Sequence, residues 1–107
     1  MILLHGLFDL HDGVSEQELR QSFELFSGHL KEIRMVTAWR FMRHQEHEGF
    51  NARAPKTDYY VSVEFADMAH AEECWSYIEG TDEPMRSLHS AVFSKVRNTS
   101  FFLSSDV

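Results

Sequence analysis

The chain has 107 residues and a formal net charge of −7, because 17 Asp and Glu outweigh 10 Lys and Arg. A chain of this length builds one hydrophobic core, so we expect a single domain over residues 1–107. The hydrophobic fraction of 43% is typical of a globular fold and excludes a disordered or fibrous chain. The acidic charge disfavours phosphate backbones and anionic lipid, so we expect neither a nucleic-acid nor a membrane partner.

Cysteine content and the first residues indicate the compartment. The single cysteine, Cys74, excludes an internal disulfide and a cysteine-rich zinc site. The apolar run at residues 1–4 lacks the length and the basic flank of a signal peptide, and the sequence has no apolar stretch of 18 residues. We therefore expect a cytoplasmic protein.

The first half of the chain predicts a strand, a helix and a second strand. Ile2–Leu10 is nearly all apolar, which predicts a strand buried on both faces. Ser15 and Glu18 form a capping box, and apolar residues then recur at helical spacing as far as Ile33. From Met35 the hydrophobic period changes to two, which predicts the second strand.

The second half predicts two more strands and a helical region in two pieces. The predicted elements are a hairpin loop at residues 49–57, a strand at 58–65, a helix at 68–79 with Asp67 as N-cap, a helix from Pro84 to about Val96, and a short strand at 100–104. This order of elements predicts a ferredoxin-like α+β sandwich, in which a four-stranded antiparallel sheet carries helices on one face.

The apolar residues of the first two strands predict a homodimer. We expect Leu3, His5 and Leu7 to face the helices. The opposite face would then be an exposed apolar patch in a monomer, and it is predicted to hold Leu4, Phe8, Leu10, Val36 and Met42. A second copy packed face to face would cover this patch and complete a dimeric α+β barrel.

The sequence resembles the stress-responsive A/B barrel domains of the dimeric α+β barrel superfamily. The resemblance covers about residues 1–103 and rests on the order of elements, on His5 within a hydrophobic strand, on Trp39-Arg40 and on the strand Tyr59–Phe65 leading into a helix. It implies a homodimer joined through the sheets, with a ligand pocket between the sheet and the helices of each subunit.

Enzymes of the same superfamily suggest an alternative function. The resemblance implies either a cyclase, which would use a His near a Pro at the start of the last helix, or a haem-degrading monooxygenase, which would use a Trp, a His and an Asn. Here the residue two places after Pro84 is Arg86, and His89 is the nearest histidine. Trp75 and His89 are similar in kind to the monooxygenase residues, but the first strand has no Asn. Haem is expected only in this alternative, and otherwise we expect no cofactor.

Two histidines are the candidate catalytic residues. His5 and His89 are both expected to point toward the interior, where imidazoles act as acid or base near neutral pH. The alternative for each is a core or boundary histidine satisfied by a hydrogen bond. The predicted pocket lining is Leu7, Phe23, Trp39, Tyr59, Val61, Trp75 and Tyr77, although aromatic residues at these spacings also fit an ordinary filled core.

The densest group of metal-ligand types lies at residues 44–48. His44 and His47 project to opposite faces of a strand, so we expect no metal site there. The sequence therefore predicts a homodimeric barrel that binds a small apolar or aromatic molecule between sheet and helices. The alternatives are a monooxygenase or cyclase-like enzyme that uses His89 with Trp75 or His5, and a dimer with a solid interior and no ligand.

Overall fold

The computed structural model describes residues 1–50 and 56–107, which form four strands and three helices. In chain order these are β1 (Ile2–Leu10), α1 (Glu16–Glu32), β2 (Ala38–Arg43), β3 (Tyr59–Phe65), α2 (Met68–Glu79), α3 (Met85–Phe93) and β4 (Val96–Ser105). The predicted order of elements is confirmed. The hairpin loop predicted at residues 49–57 falls mostly outside the described residues.

Local capping signals set the starts of the first two helices. The Ser15 hydroxyl accepts a hydrogen bond from the Glu18 amide at 3.1 Å, which confirms Ser15 as the N-cap of α1, and the Glu18 carboxylate accepts from the Ser15 hydroxyl at 3.2 Å. The Asp67 carboxylate accepts from the His70 amide at 2.9 Å at the start of α2, and Gly80 ends that helix. Both helices therefore begin where a side chain satisfies an otherwise unpaired amide.

The four strands form one antiparallel sheet in the order β2-β3-β1-β4. Leu4 of β1 lies opposite Val63 of β3 and Leu103 of β4, so these three side chains share a face. The helices cover this face. His5 lies opposite Ser62 and Phe102, on the face that carries no helix, which we call the open face.

The predicted orientation of β1 is wrong, because its two faces are exchanged. Leu4, Phe8 and Leu10 were expected at a dimer interface, but they pack in or against the core beneath the helices. His5 and Leu7 were expected beneath the helices, but they lie on the open face. Both alternating sets of β1 are apolar, so hydrophobicity does not distinguish its faces, and only the pairing register with β3 does.

The second strand begins three residues later than predicted. Arg34 has a positive φ of 64°, and the amides of Met35 and Val36 both donate to the Leu30 carbonyl, so the chain wraps the end of α1 before it extends. Val36 is therefore a buried core residue that precedes β2, and its predicted place at a dimer interface is wrong.

The last strand is longer than predicted and the last helix is shorter. β4 starts at Val96, which pairs with Leu10, whereas α3 was expected to continue to this residue. Asn98 has a positive φ of 55°, and the register shifts between Leu7 and Asp9. This bulge lets β4 pair along the full length of β1. The first half of β4 is polar, which is why the sequence did not predict it as a strand.

Candidate ligand-binding cavity

The helices cover the sheet unevenly, and the half beneath α1 is filled with aromatic rings. We call this the closed half, which consists of Phe8, Phe23, Trp39, Phe41 and Tyr59. Phe23 meets the Trp39 ring edge-on at a centroid distance of 5.5 Å, and Phe8 stacks on Tyr59 at 5.7 Å. Phe41 contacts three of these rings at about the same distances. These ring contacts make this half a densely packed aromatic cluster.

The other half of the helix-covered face holds a cavity of about 600 Å³ between α2 and the strands β1, β3 and β4. We call it the open half; it lies on the opposite side of the sheet from the open face. The described lining of the cavity is mostly apolar and comprises Leu4, Phe65, Met68, Ala71, Glu72, Cys74, Trp75, Ser76, Ile78, Phe101, Phe102 and Leu103. The volume is that of a typical small-molecule site, for which about 300–1,000 Å³ is usual.

Helix α2 supplies one wall of this cavity. Met68, Glu72 and Trp75 lie three or four residues apart on one side of the helix, and all three line the cavity. The Trp75 side chain is 61% exposed, which is unusual for so large an apolar ring. The Trp75 indole therefore lines the cavity and remains largely exposed to solvent.

Cys74 lies at the inner side of the same helix and is only 1% exposed. Burial, followed by the nearby Glu73 carboxylate, raises the pKa of the Cys74 thiol to about 11. The thiol is protonated at neutral pH, so Cys74 acts as an apolar lining group and not as a nucleophile.

Strand β4 supplies the opposite wall, and a glycine of β1 sets its position. A Cβ atom at Gly6 would lie 2.8 Å from Val61 Cγ2 and 3.1 Å from Phe101 Cε1. Only glycine therefore lets the Phe101 ring lie this close to β1. The ring also stacks on Phe93 of α3 at a centroid distance of 5.9 Å.

Glu72 gives the cavity its electrostatic character. It is the only charged residue in the described lining, and its carboxylate forms no salt bridge within residues 1–50 and 56–107. Ser76, one turn further along α2, adds a hydroxyl group. The cavity thus combines apolar walls with one carboxylate that is available to a ligand.

His5 lies on the other side of the sheet, in a polar cluster on the open face. Its Nδ1 is 2.5 Å from the Tyr60 hydroxyl, its Nε2 is 2.6 Å from the Ser104 hydroxyl, and its ring stacks on Phe102 at 4.5 Å. The imidazole therefore bridges β3 and β4 across β1. Both ring nitrogens are hydrogen-bonded, as the core-histidine alternative requires, although the residue is not in the core.

His89 does not converge with His5. It is half-buried on α3, with its ring 5.9 Å from that of Phe26 and 4.4 Å from that of Phe93. Burial lowers the pKa of His89, so its imidazole is neutral at neutral pH. Both histidines were expected to point toward the interior, but β1 turns His5 away from the helices, so the two imidazoles lie on different sides of the sheet.

Of the residues predicted to line a pocket, only Trp75 lines the cavity. Phe23, Trp39, Tyr59 and Val61 pack within the core instead, and Leu7 faces the open side. The Tyr77 hydroxyl hydrogen-bonds His29 Nε2 at 2.9 Å, which ties α2 to α1. These two residues are 48 positions apart, and nothing in the sequence predicted their contact.

Sequence reasoning missed most of the actual lining. Phe101 and Leu103 lie in the predicted last strand and Met68 in the predicted helix at 68–79, none of them with a predicted binding role, yet all three line the cavity with Glu72. For Phe101 and Leu103 the available sequence signal was the apolar run at residues 101–103, which the structure places, exposed, on an edge strand. Of the predicted interface residues, only Met42 lies on the open face, where it is 45% exposed.

Residues 44–48 do not form a metal site in the part of the chain that the structure describes. His44 Nε2 lies 3.6 Å from Glu46, and His47 contacts Phe50. No group of three or more His, Cys, Asp or Glu side chains suited to a metal occurs among the described residues.

No described helix combines the length and apolar character needed to cross a membrane.

These elements and their pairing define the fold as a ferredoxin-like α+β sandwich. The chain belongs to the Family of unknown function (DUF6614), which it matches over residues 1–106. No curated protein matches the chain.

Solved structures with the same fold differ widely in sequence. At3g17210 from Arabidopsis thaliana is 9% identical, with a TM-score of 0.78 over 100% of this chain and 96% of that chain. SnoaB from Streptomyces nogalater, a cofactor-independent oxygenase, is 10% identical, with a TM-score of 0.71 over 98% and 91%. A dimeric ferredoxin-like protein of unknown function from Jannaschia sp. CCS1 is 12% identical, with a TM-score of 0.71 over 99% and 100%. At these identities the likeness establishes the fold.

Proposed function

We propose that this protein binds a small apolar or aromatic molecule in the cavity between α2 and the sheet. The observation that carries the proposal is a cavity of about 600 Å³ whose walls are apolar and include the exposed Trp75 ring. Each 100 Å² of apolar surface that a ligand buries there contributes about 2.5 kcal/mol. Flat aromatic molecules suit the site, because Trp75 and Phe101 offer ring faces for stacking.

A fluorescent apolar probe tests this function directly. N-phenyl-1-naphthylamine brightens in apolar surroundings, so titration into the protein should give a saturable signal at one probe per chain. Trp75→Ala should weaken binding by about tenfold or more, because the indole supplies a large part of one wall. Leu25→Ala removes a comparably exposed apolar side chain from α1, away from the cavity, and should leave binding unchanged.

Two outcomes count against this function. Absence of saturable binding by the wild-type protein would overturn it. Equal loss of binding in Trp75→Ala and Leu25→Ala would mean that the probe adheres to exposed apolar surface and not to the cavity.

We further propose that the protein is a homodimer joined through the open faces of two sheets. The open face carries Leu7, Met42 and Phe102, and the last two are about half exposed in the single chain. Phe102 lies on the edge strand β4, where it also borders the cavity. The Jannaschia protein of the same fold is dimeric. This assembly would give each subunit the architecture of the stress-responsive A/B barrel domains, and a reducing cytoplasm suits the unpaired Cys74.

Charges placed on the open face test the dimer. Met42→Asp combined with Phe102→Asp should yield monomers in sedimentation velocity experiments, because two like charges per subunit would be buried at the interface. Leu25→Asp is the matched control on α1 and should remain dimeric. A double variant that folds and still sediments as a dimer would refute the open face as the interface.

The enzyme alternative that depends on haem is not favoured by the lining of the cavity. Haem iron is usually held by a histidine or a cysteine thiolate. The described lining contains no histidine, and the raised pKa of Cys74 disfavours its thiolate. Haem therefore does not fit this site, and we propose that binding needs no cofactor.

A further inference from the structure

We propose that the ligand of this cavity is a cation, in the form of an aromatic or aliphatic amine whose charged group pairs with Glu72. This inference rests on the proposed function, since it concerns the same cavity. It is carried by an available carboxylate in a lining that is otherwise free of charge within the described residues.

The position of Glu72 suits the recognition of a charged group at the mouth of the cavity. It lies four residues after Met68 and three before Trp75, so it stands between two apolar lining residues on one side of α2. It is exposed and has no salt-bridge partner among the described residues. A ligand amine would therefore meet the carboxylate without displacing a resident cation.

The surroundings of Glu72 reinforce the preference for positive charge. α2 contains no Lys or Arg and carries two further carboxylates, Glu73 and Glu79. The chain as a whole has a net charge of −7. An anionic headgroup, such as that of a fatty acid, would meet repulsion from this helix.

Trp75 adds a second attraction for a cation. The face of an indole attracts a positive charge placed within about 6 Å of its centroid. An amine that enters beside Trp75 can thus contact the ring and the Glu72 carboxylate while its apolar part enters the cavity. A neutral ligand would gain only the apolar contacts.

Three naphthalene compounds that differ only in their headgroup test the inference. They are 1-naphthylmethylamine, 1-naphthalenemethanol and 1-naphthoate, which are cationic, neutral and anionic at neutral pH. Competition against N-phenyl-1-naphthylamine, with calorimetry as a second readout, gives each affinity. We expect the amine to bind about tenfold more tightly than the alcohol, and the carboxylate to bind most weakly.

Variants of α2 assign the preference to one carboxylate. Glu72→Gln should bring the amine to within about twofold of the alcohol and leave the affinity for the alcohol unchanged. Glu72→Lys should reverse the order and favour 1-naphthoate. Glu73→Gln is the matched control, since Glu73 does not line the cavity, and it should retain the preference for the amine.

The outcomes separate this inference from the function on which it rests. If the alcohol binds but all three compounds have equal affinity, or if Glu72→Gln keeps the preference for the amine, the inference is overturned and the cavity remains a binding site. If none of the three compounds nor the fluorescent probe binds, the proposed function itself is wrong.

Discussion

The closed half and the open half of the covered sheet face share one sheet and one layer of helices, yet they are packed very differently. In the closed half, Phe23 of α1 fills the space between Phe8, Trp39 and Phe41. In the open half, a cavity lies between α2 and β4, and three of the rings that line it, Trp75, Phe101 and Phe102, are exposed.

This difference separates a densely packed part of a small protein from a part that holds a cavity. Tight aromatic packing beneath α1 supplies much of the burial that a chain of this size needs. The open half then tolerates a cavity, which would be destabilising if the whole core depended on it. Substitutions in the two halves should therefore affect different properties.

The largest effect is expected in the closed half. Phe23→Ala should lower the free energy of unfolding by about 3–5 kcal/mol, because it leaves a cavity among rings that do not relax into it. Urea denaturation followed by circular dichroism measures this change. A loss below about 1 kcal/mol would mean that the closed half is as loosely packed as the open half.

The cysteine at the inner side of α2 should react slowly in the folded protein. Its pKa is raised from 9.0 to about 11, so at pH 8 the thiolate fraction of Cys74 falls about 100-fold relative to the unfolded chain. The thiol pKa is higher in the folded state, so stability should fall as pH rises from about 9 to 11. Iodoacetamide labelling with and without urea checks the first statement, and comparison with Cys74→Ala at high pH checks the second. Fast labelling of the folded protein would contradict the raised pKa and show that the reagent reaches the Cys74 thiol through the cavity.

Truncation in the open half should hardly affect stability. Trp75→Ala should change the free energy of unfolding by less than about 1 kcal/mol, because the ring is mostly in contact with solvent and cavity. The same urea experiment as for Phe23→Ala gives the comparison. A loss similar to that of Phe23→Ala would remove the distinction between the halves.

The smallest effect concerns His89, which lies on α3 beside Phe26. Burial lowers its pKa below the ordinary 6.5, so the unfolded state binds the proton more readily, and stability should fall as pH drops below 6.5. His89→Gln does not titrate and should lose less stability between pH 7 and pH 5 than the wild type. Identical pH dependence of the two proteins would show that His89 is solvated and titrates normally.

Much of the fold follows from local sequence signals, but the site does not. Ser15 and Asp67 each cap the start of a helix by accepting a hydrogen bond from an amide three residues away. Such signals can be recognised in the sequence without knowledge of the rest of the chain. The faces of β1 depend instead on its register with β3, and both of its alternating residue sets are apolar. Assigning His5 to the wrong face moved the predicted site to the wrong side of the sheet.

The cavity also depends on long-range geometry. Phe101 reaches it only because a bulge near Asn98 allows β4 to pair along the whole of β1. The polar residues before Phe101 gave no strand pattern, so the sequence predicted a shorter strand. Glu72 looked like an ordinary solvated helix residue, since its relation to a cavity appears only when α2 is placed over the sheet.

Gly6 of β1 does not line the cavity, yet it determines how closely the lining residue Phe101 approaches the sheet. A single methyl group at this position would press on Val61 and on the edge of the Phe101 ring. Val61 and the Phe101 ring would have to shift to relieve these contacts. The position of the Phe101 wall is therefore set partly by the spacing of the sheet, at a residue outside the described lining of the cavity.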